Sequence, residues 1–428
     1  MPAHLVEVKG TQVKIEITVE LSRSMLDTEE AIQVALNEAG CLASREALRY
    51  FDTDGSPRQI GPAIWRTQGR QPKRYQTPYG EVELERHVYQ RSGGGKTDCP
   101  LEREARIVIT STPRFAKQVS SQFAQGAARD VQRDLAENHA RPVAVSYLQR
   151  LSEAIGTVVQ AKEADWEYAL PALDSAVASV SVGLDGTGRL LGEDGCRQAM
   201  VGTLALVDAE GQRQHTLSVA ATPAYGKPTF LGRLERELER VKAGYPQARI
   251  IGLADGAEDH WRFLNPRTEV PLIDCYHASG YLAAAAEAAF RRAEDKVQRE
   301  HWLHERCHRL KHEPGAAQAL LGEMPRLPTT ELNTTQRAQR QSAITYFANH
   351  HPQMDYATAL DHHWPIGSGV TEAACKTVVK QRLCRSGMRW KANGAAVVLS
   401  LRALILTPDR WRQFWDKLDR FGFPVAVS

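Results

Sequence analysis

Three acidic residues of this 428-residue chain stand where chemistry on a phosphodiester would want them. Asp185 ends the run Ser181-Val-Gly-Leu-Asp and precedes Gly186. Asp255 ends Ile250-Ile-Gly-Leu-Ala-Asp and precedes Gly256. Each follows an apolar stretch, which is how a sheet presents a carboxylate from a buried strand at its carboxyl edge. An Asp-Gly pair alone is an ordinary turn signal; two of them closing two apolar runs read as partners. The third acid lies in Trp364-Pro-Ile-Gly-Ser-Gly-Val-Thr-Glu372, where Pro365 stops any preceding helix and a long helical stretch begins near Thr371. Glu372 then falls in a first helical turn, where the helix dipole favours negative charge. In-line attack on a phosphodiester uses one metal ion to activate the nucleophile and a second to stabilise the leaving oxygen, roughly 3.5–4 Å apart. Magnesium takes oxygen ligands in octahedral geometry and keeps several waters, so three carboxylates suffice for a pair of ions. Asp185, Asp255 and Glu372 are therefore the expected catalytic residues and metal ligands, with two Mg2+ as cofactor and Mn2+ able to substitute.

The residues after Glu372 bear on its substrate. From Ala373 to Arg402 the chain holds Lys376, Lys380, Arg382, Arg385, Arg389, Lys391 and Arg402 and no acid, although the whole chain carries a net charge of only +3. A local excess of this kind is the footprint of phosphate contact, and equally that of a solvated basic face. Beside a carboxylate site the first six are expected to hold DNA phosphates.

The elements that must position these residues follow from periodicity. Short β-branched runs at 180–185, 200–207, 215–220, 249–254 and 270–273 read as strands. A helix with Leu234, Leu238 and Val241 on one face separates the third from the fourth. Strand, strand, strand, helix, strand, helix, strand is the order of the RNase H-like fold, an α/β catalytic core with carboxylates at the ends of its first and fourth strands. Ahead of it, residues 113–159 read as helices. Ala128, Val131 and Leu135 form one apolar face, a break follows at 138–142, and a second helix carries Leu148, Leu151, Ile155 and Val158. Two short helices with a tight turn match a helix-turn-helix, whose recognition helix reads base edges with residues near its start: Ser146, Gln149 and Arg150. Ala144 stands where a capping Ser or Thr is preferred. The first hundred residues combine an alternating stretch (Val13, Ile15, Ile17, Val19), a helical stretch near Thr28 to Tyr50 and a hairpin turning at Pro78-Tyr79-Gly80. The expected division is 1–112, an α+β region; 113–170, the DNA-binding helices; 171–277, the first part of the core; 278–360, a helical insertion; and 361–428, the last part of the core with Glu372 and a basic helix.

Composition sets the outer bounds. At 42% apolar and 25% charged the chain is an ordinary globular one. No stretch has the roughly 18 to 20 apolar residues of a membrane span, and the N-terminus lacks the apolar core of a signal peptide, so a cytoplasmic location is expected. Seven scattered cysteines with no C-x-x-C spacing argue against a disulfide frame or a zinc ribbon.

Several runs together resemble the DDE transposases of bacterial insertion sequences, most closely the ISKra group. They are Gly183-Leu-Asp-Gly-Thr, Ala199-Met-Val-Gly-Thr, Tyr225-Gly-Lys, Gly252-Leu-Ala-Asp-Gly-Ala, Asp274-Cys-Tyr-His277, Gly367-Ser-Gly-Val-Thr-Glu and Arg385-Ser-Gly-Met-Arg-Trp390. The resemblance runs from about Tyr75 to Leu406. It implies an RNase H-like core with Asp185, Asp255 and Glu372 as ligands, and a mostly helical insertion between the second Asp and the Glu. It also implies an enzyme that binds the terminal inverted repeats of its element and a target duplex, as a homodimer or higher, and that cuts and joins DNA strands. Asp274-x-x-His277 is similar to the C/D-x-x-H signature of Mutator-like transposases and marks Asp274 and His277 as near-site residues. Trp302 has the character of an insertion-domain aromatic that stacks on a flipped base. His304, His308 and His312 recur every four residues beside Cys307, a spacing that can bind zinc. No carboxylate completes such a site, and the stripe reads better as facing DNA or solvent. A two-metal nuclease or resolvase on the same fold, and a sequence-specific DNA-binding protein with a silent core, are the competing readings.

Overall fold

Alternation builds the first element pair. Residues 12–17 carry apolar side chains at period two, and residues 3–9 do so with a slip at Leu5-Val6, where the register shifts. In the computed structural model they form antiparallel strands β1 (Ala3–Lys9) and β2 (Gln12–Ile17), turned at Gly10 with φ 59°. The structure describes residues 2–163, 165–192, 195–221, 226–290, 292–328, 332–385, 388–423 and 425. The chain divides into two compact units, residues 1–168 with 400–428, and residues 169–399.

In the first unit, helix α1 (Met25–Tyr50) starts at Ser24, whose hydroxyl accepts the Asp27 N–H. Strands β3 (Arg58–Ile60), β4 (Ala63–Gln76) and β5 (Glu81–Arg91) form an antiparallel sheet. The tight turn of residues 77–80 is closed by Thr77, whose N–H and hydroxyl both donate to Gly80 O. Tyr75, Val82 and Leu84 pack with Leu48 of α1 and Leu101 of α2 (Pro100–Glu104). Helices α3 (Pro113–Gln125), α4 (Ala128–His139) and α5 (Val145–Lys162) follow, each burying one apolar stripe. The faces expected from periodicity are the ones buried: Ala128, Val131 and Leu135 on α4, and Leu148, Leu151, Ile155 and Val158 on α5. Ala144 is the N-cap of α5 and makes no side-chain cap bond.

The second unit is built on a five-stranded sheet: β6 (Ser179–Gly192), β7 (Gly195–Val207), β8 (Arg213–Ala221), β9 (Arg249–Ala254) and β10 (Val270–Ile273). Its order is β10-β9-β6-β7-β8. The first three strands in sequence pair antiparallel and the last two join in parallel. Helix α6 (Gly226–Gly244) crosses between β8 and β9 and buries Phe230, Leu234, Leu238 and Val241 in the main core. Then come α7 (Glu258–Leu264), α8 (Cys275–Ala289), α9 (Lys296–His312), α10 (Ala316–Glu323), α11 (Thr334–His350) and α12 (Tyr356–Asp361). From β10 to Trp364 no strand occurs among the described residues. The chain then enters α13 (Gly369–Ala374), a π-helical turn (Cys375–Lys380) and α14 (Gln381–Leu383), and later α15 (Ala392–Leu406) and α16 (Arg410–Phe421). Among the described residues no helix is long and apolar enough to cross a membrane.

Two expectations are corrected. Residues 400–428 belong with the first unit, not with the core that contains Glu372: the buried Arg402 donates to Ala124 O at 2.5 Å, and the Phe414 ring meets Trp166 at 5.8 Å. And no single basic helix runs on from Glu372 among the described residues, where helical structure stops at Leu383 and resumes at Ala392.

Candidate active site

The site is set by strand register. Strands β6 and β9 pair Val182 with Gly252, and β9 and β10 pair Ala254 with Ile273. Continuing each register brings Asp185, Asp255 and Asp274 level with one another on three adjacent parallel strands, about 4.8 Å apart from strand to strand. For β9 and β10 that level is one residue past the end. For β6 it is not: the strand runs on to Gly192, still paired with β7, so Asp185 lies within a strand and beyond the reach of β9. The expectation of a strand ending at Asp185 is corrected by this long β6–β7 hairpin.

Each carboxylate accepts a side-chain hydrogen bond, for Asp185 and Asp255 from another element and for Glu372 from the N-cap of its own helix. Asp255 Oδ1 accepts the Ala257 N–H (3.1 Å) and lies 3.0 Å from His260 Nδ1 in α7. The adjacent Trp261 Nε1–H donates to the Asp255 carbonyl at 2.7 Å. The His260 hydrogen bond, with help from the Ala257 N–H and the nearby His277, holds the Asp255 carboxyl below its usual range against the opposing effect of burial. Asp185 Oδ2 accepts from the Cys375 thiol at 3.6 Å. Burial together with the charges of Asp185 and Glu372 pushes that thiol up to about 12, so it stays a neutral donor. Glu372 Oε1 accepts the Ser368 hydroxyl at 3.2 Å.

Asp274 plays a different part. It is 0% exposed, and both oxygens are taken by backbone donors: Oδ1 by the His277 N–H (2.9 Å) and Oδ2 by the Ser368 N–H (2.6 Å). It caps α8 and pins the loop leading into Glu372, which Cys275 N–H also ties through Ile366 O at 2.9 Å. Helix α13 then reaches the sheet itself, where the Thr371 and Thr203 hydroxyls meet at 2.7 Å over Gly183. Ligand atoms of Asp274, His277 and Glu372 lie within 4.8 Å of one another; Asp185 and Asp255 stand outside that tight group.

The residues expected to face DNA divide. Ser146, Gln149 and Arg150 are exposed on the first turns of α5, Gln149 bonded to Glu153 (2.9 Å) and Arg150 over the Tyr147 ring (5.9 Å). Lys376, Lys380, Arg385, Arg389 and Lys391 are exposed. Arg382 is not: at 2% exposure its guanidinium packs over the Trp390 ring (4.8 Å) and against Met388 Sδ. The phosphate role expected for Arg382 is corrected, since a side chain enclosed in this way has no face left for a ligand. Trp302 is half-buried against Phe290 with Arg306 over its ring, so it is wedged into the insertion and not presented. His304, His308 and His312 line an exposed face of α9, His308 and His312 with ring centres 4.7 Å apart, and join no metal-holding group among the described residues. Tyr225 and residues 386–387 of the sequence motifs lie outside the described residues.

Sequence reasoning missed His260, Ser368 and Cys375. Cys375 carried a faint signal, standing three residues after Glu372 and so on the same helix face. His260 carried none, because it reaches Asp255 only through the turn into α7. No protein-family model matches the chain, and no curated protein matches it.

Proposed function

We propose that this protein is a DDE transposase, resembling those of the ISKra group, which binds the terminal inverted repeats of its insertion sequence and carries out Mg2+-dependent strand cleavage and strand transfer. One observation carries the reading: the registers of β6, β9 and β10 level Asp185 with Asp255 on adjacent parallel strands, with Glu372 on a helix whose Thr371 touches β6 at Gly183. The sheet order, three antiparallel strands followed by two parallel ones with a helical segment before Glu372, supports an RNase H-like core.

The donor set suits a hard cation. Asp185 and Asp255 each keep a carboxylate oxygen outside the hydrogen bonds described, and Glu372 is exposed at the same end. Oxygen donors of this kind suit Mg2+, and Mn2+ in its place. Asp185, Asp255 and Glu372 would hold two such ions, which when bound supply an activated oxygen nucleophile and stabilise the leaving oxygen. The chain's own residues do the rest. His260 and Cys375 orient two of the carboxylates, as outer-shell donors do around metal sites. Asp274 fixes the loop that starts the helix of Glu372. Lys376, Lys380, Arg385, Arg389 and Lys391 offer charge to backbone phosphates, which set register without reading sequence. Ser146, Gln149 and Arg150, exposed at the start of α5, suit base edges in a major groove. Pairing two DNA ends calls for at least a homodimer.

The test uses labelled duplexes carrying the terminal sequences of the element around this gene, with Mg2+. Wild type is expected to cleave and to join. Asp185→Asn, Asp255→Asn and Glu372→Gln keep the shape of each side chain and are expected to lose cleavage by about 100-fold or more while binding the same ends. Substantial Mg2+-dependent cleavage by Asp185→Asn or Asp255→Asn would sink the assignment; cleavage without joining by wild type would make the protein a nuclease.

A further inference from the structure

The hairpin at the start of the chain is an unfinished sheet. Among the described residues β2 has one sheet neighbour, β1, and a two-stranded ribbon is marginal on its own. Helix α1 covers one face of it, with Ala3 and Ala35 buried and the Ala3 N–H bonded to Glu38 Oε2 at 3.3 Å. Both outer edges are unpaired among the described residues, but that of β1 is broken by the register shift between Leu5 and Glu7 and by Glu38 at the Ala3 N–H, while that of β2 is regular. Just past the strand, the Thr18 N–H donates to Pro2 O at 2.8 Å, so even-numbered residues turn their backbone groups toward β1. Val13, Ile15 and Ile17 therefore turn theirs outward. Val13 and Ile15 are half-buried on the α1 side, Ile17 is 39% exposed, and Lys14 and Glu16 project from the opposite face.

We propose that this edge pairs with itself: a second copy of the chain adds its own β2, antiparallel, about a two-fold axis through Ile15, to make a four-stranded sheet. In that register Ile15 faces Ile15, Val13 faces Ile17, and Lys14 faces Glu16 of the second copy on both sides of the axis. The outward-turned residues form the pairs that exchange N–H···O bonds. Lys14 and Glu16 fall at the closer, non-hydrogen-bonded pairs, where side chains interact most strongly. Neighbouring registers fit worse: centring on Val13 sets Lys14 against Gln12 and runs into the turn, and centring on Ile17 runs past the strand's end. A lysine on an edge strand normally repels an added strand. Here the same charge that turns others away is answered by Glu16 of an identical chain, which is specificity by charge pattern. The inference goes beyond the catalytic reading and stands without it.

Light scattering and sedimentation of the full chain over a concentration series test it. Wild type is expected as a dimer. Lys14→Glu sets carboxylate against carboxylate at both symmetric pairs, and Glu16→Lys sets ammonium against ammonium. Each should weaken the dimer roughly tenfold or more. The doubly substituted Lys14→Glu/Glu16→Lys chain should dimerise again, and differently tagged single variants, when mixed, should pair with each other in preference to themselves. Lys14→Glu leaves the His4–Glu16 pair (3.6 Å) of the hairpin in place, and unchanged melting curves show that the fold is kept. A monomeric wild type at every concentration overturns the proposal. So does a Lys14→Glu chain that dimerises like wild type, or a failure of both the double substitution and the mixture to restore pairing.

Discussion

Gly183→Ala probes how the helix of Glu372 is seated. A Cβ on Gly183 would lie well under 3.0 Å from Thr371 Oγ1, and 3.3 Å from both Leu253 O and Thr203 Oγ1. The last two belong to strands hydrogen-bonded on either side of β6 and have little room to yield. Helix α13 is the part that gives, by roughly 1 Å if ordinary contact is to be restored. Overpacking of this kind costs about 1–3 kcal/mol, and parting the Thr371 and Thr203 hydroxyls adds about 1 kcal/mol. The second unit should lose about 2–4 kcal/mol. Because Glu372 follows Thr371 directly, its carboxylate moves too, and a misplacement near 1 Å costs on the order of 100-fold in rate. Thr371→Ala removes the colliding hydroxyl. Alone it should cost about 1–2 kcal/mol through the bond lost from Thr203, but combined with Gly183→Ala it should recover about 1–3 kcal/mol relative to the sum of the two. Urea denaturation of the four proteins, alongside Mg2+-dependent cleavage, reads both effects. Strict additivity, or a Gly183→Ala protein as stable and active as wild type, would refute the seating argument.

Three further outcomes follow from the same contacts. His260→Ala should raise the Mg2+ concentration needed for half-maximal cleavage by about 10–100-fold, as loss of an outer-shell partner does; an unchanged metal dependence would remove His260 from the site. Among the basic residues, Arg389→Ala should make the fall of log affinity with log salt shallower by about 0.9 on any duplex. Arg382→Ala, which loses the contact with Trp390, should lower the melting temperature and leave that slope alone. Glu102 makes a pH prediction for the first unit. Burial alone would raise its carboxyl, but the Lys73 ammonium (2.8 Å), the Tyr75 hydroxyl (2.6 Å) and Arg86 outweigh it and hold it below the ordinary 4.5. Stability from a depressed carboxylate is present above the unfolded value and lost as pH falls through the folded one. Glu102→Gln should therefore cost about 1–3 kcal/mol near neutrality, with the gap to wild type closing below about pH 4.5; a gap that stays constant into acid contradicts the assignment.

Much of this arrangement was legible in the residues because it is periodic. The apolar runs ending at Asp255 and Ile273 gave strands with the observed boundaries, and the stripes of α4, α5 and α6 gave their buried faces. Long-range geometry was not legible. That Asp185 lies within β6 depends on how far β7 pairs with it, and Gly186 looks like a strand end when read alone. The burial of Arg382 depends on Trp390, eight residues on, lying against its guanidinium, which charge counting cannot register. A basic run marks where cations are dense in sequence, while exposure decides which of them can meet a phosphate.

Asp274 shows why three level carboxylates need not share one setting. A carboxyl group with no exposure needs hydrogen bonds in place of its water. Here two backbone N–H groups supply them, one on each oxygen. Those two donors come from the start of α8 and from the loop before α13, so a single buried carboxyl group locks together the segments that carry His277 and Glu372. Asp185 accepts one long bond from a thiol, Asp255 accepts its described bonds on Oδ1 alone, and both are half-buried. Neighbouring strands thus present the same side chain at the same level in two settings: Asp274 has a backbone donor on each oxygen, while Asp185 and Asp255 each keep an oxygen outside the hydrogen bonds described, as the proposed cation site requires.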